Sequence, residues 1–157
     1  MAKSYLNRND LPRGIRNNNP GNIRYSSRNN WLGKIPFAQN FDTDKAFEQF
    51  KELRYGIRAK MILIYNDLAA GKTITQLIHE FAPPFENNTQ AYINTVATQT
   101  KLPVNSKIVL TEDNLLKIAK AINRVENGTQ NEKYITDQDW KDGLAIFDKP
   151  LLKKKVA

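Results

Sequence analysis

The chain has 157 residues, 40% of them hydrophobic and 25% charged, a composition that suits one globular domain with a core of its own. Without cysteine and with His79 as its one histidine, it excludes disulfides and thiolate catalysis and leaves a multi-histidine metal site or a Ser-His-Asp triad poorly supported. The net charge of +8 points to an anionic partner, such as nucleic acid, an anionic lipid surface or a bacterial wall with its phosphates and carboxylates.

Residues 1–45 are rich in Asn, Arg, Gly and Pro and lack periodic apolar positions, so they read as loops and short strands around turns. Asn19-Pro20-Gly21-Asn22 places Pro and Gly as the central residues of a type II turn. Short extended pieces are expected at Trp31–Lys34, Phe37–Phe41 and Ala46–Phe50. From Leu53 the pattern becomes helical: Leu53, Ile57, Met61, Ile64 and Leu68 keep the helix period, and Gly71 ends the run. Thr73 and Gln76 form a capping box for a short helix that Pro83-Pro84 stops. Asn87 with Gln90 is the expected cap of the next helix, which presents Tyr92, Ile93, Val96 and Ala97. Thr111 opens a helix ending at Glu126-Asn127-Gly128, and Thr136 opens a last one carrying Trp140, Leu144 and Phe147.

The fold expected is therefore mainly α (α+β), a single domain over residues 1–157 with a small N-terminal irregular or β lobe and with 1–12 and 149–157 as flexible termini. No apolar run follows the first residues, so no signal peptide is expected. Met61–Tyr65 is too short to be a transmembrane segment.

The helix before Gly128 carries the most chemistry. Leu115, Ile118, Ile122 and Glu126 lie on one stripe, so a carboxylate continues an apolar line. Glycosidic cleavage requires a proton for the leaving oxygen, and a carboxyl on an apolar floor at the negative end of a helix holds that proton more readily. A solvated helix-end glutamate is the bland alternative. Glu86, just before a helix start, suits an anionic stabiliser and is the candidate second carboxylate, although capping alone would also explain it. Glu48 and Glu52 read as solvated charges, and His79 as a helix-surface residue.

In the N-terminal lobe, amides such as Asn19 and Asn22 pair with sugar hydroxyls and N-acetyl groups, while Tyr25 and Trp31 stack on sugar rings. Asn17 and Asn29 read as turn formers. Interleaved with Arg13, Arg16, Arg24 and Arg28, the same set also suits single-stranded nucleic acid. No P-loop, dinucleotide fingerprint or metal-ligand cluster is visible, and no cofactor is expected.

The run Arg13-Gly14-Ile15-Arg16-Asn17-Asn18-Asn19-Pro20-Gly21-Asn22-Ile23-Arg24 resembles the opening of small bacteriophage and prophage proteins of structural or lysozyme-like character. The resemblance continues through Trp31 and Gly33, Phe47 and Phe50, Gly56-Ile57-Arg58-Ala59, Ala82-Pro83-Pro84-Phe85-Glu86-Asn87-Asn88-Thr89 with Tyr92, and Val125-Glu126-Asn127-Gly128. It spans residues 13 to 147, and it departs from the family pattern at Val125, where that pattern has His.

The resemblance implies a lysozyme-like helical body, circularly permuted because the acid-bearing helix follows the small lobe. It implies a peptidoglycan-cleaving enzyme of lytic-transglycosylase or muramidase type, with Glu126 as general acid/base. Glu86 is its candidate partner. Substrate contacts are expected at Asn19, Asn22, Arg24, Tyr25, Trp31, Asn87, Thr89 and Tyr92. Its expected setting is a phage virion acting in the host periplasm, with peptidoglycan and other virion proteins as partners. A non-catalytic virion protein of the same fold is the alternative. A nucleic-acid-binding module ranks third, because the basic and aromatic residues form no recognisable motif of that class.

Overall fold

A computed structural model of the chain describes residues 3–43, 45–84 and 88–151. Among them are six α-helices: α1 Arg13–Arg16, α2 Leu53–Ala69, α3 Ile74–Phe81, α4 Thr89–Thr100, α5 Glu112–Asn127 and α6 Asp137–Ala145, with 3-10 turns at Phe37–Gln39 and Thr129–Tyr134. The protein is mainly helical. No described helix is long and apolar enough to cross a membrane. The chain divides into two compact units, Met1–Lys60 with Glu126–Asp148, and Met61–Val125 with the residues from Lys149.

The second unit follows its sequence pattern closely. Ile64, Leu77, Ile78, Val96, Leu115, Ile118 and Ile122 are fully buried, each on the stripe that helix periodicity assigned to it. Thr73 accepts from the Gln76 amide at 3.2 Å while the Gln76 side chain accepts from the Thr73 amide at 2.8 Å, which completes the capping box of α3. Gly71 closes α2 with φ of +90°. The cap of α4 is Asn88, whose side chain accepts from the Ala91 amide at 3.1 Å; Asn87, expected in that role, lies outside the described residues. The cap has to stand immediately before the first helical residue, Thr89, for its oxygen to reach that amide.

The first unit departs further from expectation. Its extended pieces never lengthen into strands: among the described residues only isolated antiparallel bridges form, Arg24 with Phe47 and Lys34 with Phe50. Each bridge consists of two backbone bonds, from Tyr25 to Ala46 and Glu48 to Ile23 in the first and from Ile35 to Gln49 and Lys51 to Gly33 in the second. The left-handed residues Lys45 and Gly33, with φ of +53° and +75°, bend the chain at both bridges, and Phe37–Gln39 coils into a 3-10 turn.

Three consecutive asparagines replace the missing ladder. Asn17, Asn18 and Asn19 are at most 1% exposed. Asn18 donates to the Phe50 carbonyl and the Ser4 hydroxyl, both at 2.9 Å, and accepts from the Tyr5 amide at 2.8 Å. Asn19 donates to the carbonyls of Ile23 and Glu48, both at 2.9 Å, and accepts from the Ile23 amide at 3.0 Å. Residues 3–12, expected to be a flexible terminus, are thus tied in from Lys3, whose carbonyl accepts from Leu53 and whose ammonium pairs with Asp139 at 2.9 Å.

Glu48 corrects another expectation. It is 1% exposed, and its Oε2 accepts from the Lys34 ammonium at 3.2 Å and the Ser26 amide at 3.3 Å. Phe47 and Phe50 flank it in the same apolar segment, so the carboxylate is drawn inward with them and held by a cation that is itself largely buried.

Gly56, in the first turn of α2, meets the asparagine run directly. A β-carbon there would overlap the Asn18 carbonyl oxygen and lie 2.8 Å from its carbon. Alanine would ordinarily favour a helix interior by about 1 kcal/mol. Here the collision with backbone reverses the sign: we expect Gly56→Ala to cost about 1–3 kcal/mol, seen as a lower midpoint in thermal melts followed by circular dichroism. A melting point equal to or above that of the parent would show that the asparagine backbone can move aside. Lys34→Met leaves Glu48 buried without its counter-charge, and a loss of about 3 kcal/mol in urea unfolding is expected. A change below about 0.5 kcal/mol would mark the pair as one of the many ion pairs that contribute little.

Candidate functional site

The site forms where the opening motif meets the end of α5, both within the first unit. Asn19-Pro20-Gly21-Asn22 turns as the sequence requires, the Asn22 amide donating to the Asn19 carbonyl at 2.9 Å. The turn is not type II, because Gly21 keeps a negative φ and the left-handed position falls on Asn22, with φ of +49°. Glycine is needed at position 21 for space instead: a β-carbon would press into the aliphatic stem of Lys60, 2.8 Å from its Cβ. The left-handed conformation of Asn22 belongs to the turn that presents its side chain to Glu126.

Asn22 Nδ2 donates to Glu126 Oε1 at 3.1 Å across 104 positions of sequence. The next residue repeats the link, with Asn127 Nδ2 donating to the Pro20 carbonyl at 2.7 Å. Gly14 stands under both. A β-carbon there would collide with Asn127 Oδ1 and sit 2.9 Å from Asn22 Oδ1, so only glycine lets the two amides converge. The α5 backbone ends at this point, Gly128 taking φ of +88° and Asn131 donating to the Asn127 carbonyl at 2.8 Å.

The stripe of α5 runs from fully buried Leu115, Ile118 and Ile122 to a half-buried Glu126. Glu126 thus keeps contact with solvent at the helix end. One carboxylate oxygen is fixed by an amide donor, while Oε2 has no hydrogen-bond partner among the described residues. This arrangement fixes the orientation of a carboxyl group and leaves one of its oxygens to exchange a proton with a bound molecule.

The other predicted site residues divide by exposure. Arg24 is exposed, its guanidinium 4.9 Å from the Phe47 ring, with that of Arg13 at 3.8 Å from the same ring. Tyr25 is half-buried, 4.6 Å from the Phe37 ring and 4.7 Å from the Lys34 ammonium. Trp31 is half-buried, and its indole N–H is out of solvent with no partner among the described residues. Asn19 is fully buried, with both ends of its amide engaged by backbone, so it serves the fold rather than offering a surface to a ligand. Thr89 and Tyr92 belong to the second unit and are each 5% exposed, the Thr89 hydroxyl donating to the Ala82 carbonyl. Glu86 and Asn87 lie outside the described residues.

In the sequence, Asn127 and Gly128 read as a helix stop, and Gly14 stands only as one position of the opening motif. The spacing Gly14…Asn19-Pro20-Gly21-Asn22 held a signal, since a glycine inside a short helix marks a close approach by another chain segment. It named no partner for that approach.

No family model matches the chain. Compared with individual proteins, it is 35% identical over 130 residues to Protein P5 of Pseudoalteromonas phage PM2, a match that takes in 80% of this chain and 78% of that protein. At that identity and coverage the chain belongs to the family of the bacteriophage protein P5.

Proposed function

We propose that this protein is a phage virion-associated enzyme that cleaves the glycan strands of bacterial peptidoglycan between N-acetyl sugars, with Glu126 as general acid/base. The observation that carries this reading is the bond from Asn22 Nδ2 to Glu126 Oε1, which joins the two motifs most characteristic of the chain around one half-buried carboxylate. Membership in a bacteriophage protein family and a net charge of +8, suited to an anionic wall, both support it. The fold expected for such an enzyme is the permuted lysozyme plan, in which the acid-bearing helix follows the small lobe.

Glu126 protonates the leaving glycosidic oxygen as the bond to the anomeric carbon breaks. In the transglycosylase form, the resulting carboxylate then takes a proton from a hydroxyl of the same sugar, whose oxygen closes onto the anomeric carbon. In the hydrolase form a second carboxylate takes part, and water supplies the oxygen. Among the described residues the hydrogen-bond partner of Glu126 is an amide and not a second carboxylate, which suits the transglycosylase form. Asn22 acts as a positioning residue, holding Oε1 so that Oε2 faces the bond to be cut.

The protein would act from the virion in the host periplasm, with other virion proteins as its neighbours there. A non-catalytic virion protein that binds glycan is the second reading. The burial of Asn19, Thr89 and Tyr92, three of the residues expected to touch sugar, favours it.

We expect Glu126→Gln to abolish clearing of purified cell walls, by at least about 100-fold, with the circular dichroism spectrum unchanged. Parent-level clearing by that variant would remove Glu126 from the mechanism. Absence of clearing by the parent protein itself, with wall binding retained, would establish the non-catalytic reading. Mass spectrometry of the released muropeptides separates the two chemistries: anhydro ends mark the transglycosylase and reducing ends the hydrolase. For Asn22→Ala, kcat should fall about 10- to 100-fold with KM within twofold of the parent. Equal changes in KM and no change in kcat would mean that Asn22 binds substrate rather than orienting the acid.

A further inference from the structure

We propose a second, non-catalytic binding site in the first unit, a pocket that takes one neutral sugar ring bearing an acetamido group. The pocket is a hollow of about 270 Å³ bordered by Arg16, Asn17, Phe41, Asp42 and Gln49, with Asn7, Asn9 and Thr43 completing its wall. That size lies just below the roughly 300 Å³ at which small-molecule pockets usually begin, so it fits a single ring rather than an oligomer.

The polar groups of the wall are arranged to leave one acceptor and one donor over. Arg16 directs both Nε and Nη2 to the same oxygen of Asp42, each at 3.0 Å from Oδ1. Asp42 Oδ2 is buried and has no hydrogen-bond partner among the described residues. Asn17 is likewise half engaged. Its Oδ1 accepts from Gln49 Nε2 at 3.0 Å, and Gln49 Oε1 in turn accepts from the Phe41 amide at 3.3 Å, whereas Asn17 Nδ2 is buried with no partner. Asn17 is 1% and Asp42 8% exposed, so these are interior polar groups of a kind that folded proteins normally satisfy.

The ligand class follows from this inventory. Arg16 neutralises Asp42, so the pocket favours a neutral guest over a cation or an anion. The guest must present a donor for Asp42 Oδ2 and an acceptor for Asn17 Nδ2, which a secondary amide does with its N–H and C=O, and adjacent hydroxyls do less distinctively. Phe41 is 54% exposed, the most exposed of the large apolar side chains on the described surface, and it offers a face for the apolar side of a sugar ring. Asn7, Asn9 and Thr43 are exposed and supply further amide and hydroxyl groups at the rim. The choice of an acetamido sugar over other neutral amides rests on the peptidoglycan reading; the donor–acceptor pair and the aromatic face do not.

The test is a nitrogen-15 chemical-shift titration of the full chain with chitotriose as probe and maltotriose, which lacks the acetamido group, as control. Saturable shifts at the amides of Phe41, Asp42 and Gln49 with chitotriose, at least tenfold weaker with maltotriose, are expected in the parent and in Glu126→Gln alike. Phe41→Ala, an exposed substitution that leaves the buried network intact, should weaken chitotriose binding about tenfold, and Asp42→Asn should do at least as much if it folds. Absence of shifts at these amides up to millimolar chitotriose would overturn the proposal, as would equal binding of the two sugars or full affinity in Phe41→Ala. The two readings fail separately. Binding here without cell-wall clearing would sink the enzyme and keep the pocket, and clearing without shifts here would do the reverse.

Discussion

A buried backbone amide or carbonyl must find a partner, and among the described residues of the first unit no sheet supplies one. The segments around Ile23–Tyr25, Gly33–Ile35 and Ala46–Lys51 pair for one or two hydrogen bonds and then separate. Asn17, Asn18 and Asn19 take over, their side-chain amides engaging Phe50, Ile23, Glu48 and Tyr5 and the Gln49 side chain. An asparagine side chain carries the same donor and acceptor as a peptide group, so a buried run of three acts as a short substitute strand. The cost of removing one of them is the cost of orphaning its partners, which in an interior exceeds the value of a typical hydrogen bond.

That constraint fixes the candidate site as well. The Asn19–Asn22 turn follows directly from the run, and its geometry delivers Asn22 to Glu126 and the Pro20 carbonyl to Asn127. Gly56 is where the run touches α2 at a distance that no β-carbon allows, and Gly14 in α1 is where the side chains of Asn22 and Asn127 also come closer than a β-carbon allows. A single carboxylate at a helix end is unremarkable chemically. What gives Glu126 an orientation is a scaffold that begins more than a hundred residues earlier and is itself rigid through its buried amides.

The helices from α2 onward were legible in the sequence, as were the starts of α3, α5 and α6, because helix period and threonine capping are local signals. Thr73, Thr111 and Thr136 all accept the amide three residues on, as their positions foretold. The first unit was much less legible. Its apolar residues have no sustained period, and its hydrogen bonds join positions such as Asn18 and Phe50 or Asn22 and Glu126, which local spacing cannot pair. Asparagine misled for a physical reason. The same amide that suits a sugar hydroxyl suits a peptide group, and only burial separates the two uses, so Asn19 looked like a ligand contact and turned out to hold backbone. Glu48 misled in the opposite direction, since a charged residue between aromatic neighbours is usually solvated unless a cation follows it inward, as Lys34 does.

Burial also distinguishes two of the polar clusters that remain incompletely satisfied among the described residues. At Glu126 one oxygen is held by Asn22 and the side chain is half in solvent, which suits a group that must pass a proton to something arriving from outside. At Asp42 the carboxylate is held by Arg16 and sits almost wholly inside, which suits recognition. The asparagine run reaches both: Asn17 borders the pocket with Asp42, and the turn that starts at Asn19 presents Asn22 to Glu126. One stretch of backbone thus sets the position of a half-exposed carboxyl and of a buried one. A substitution inside the run should disturb both, whereas one at Phe41 or Glu126 should disturb only its own.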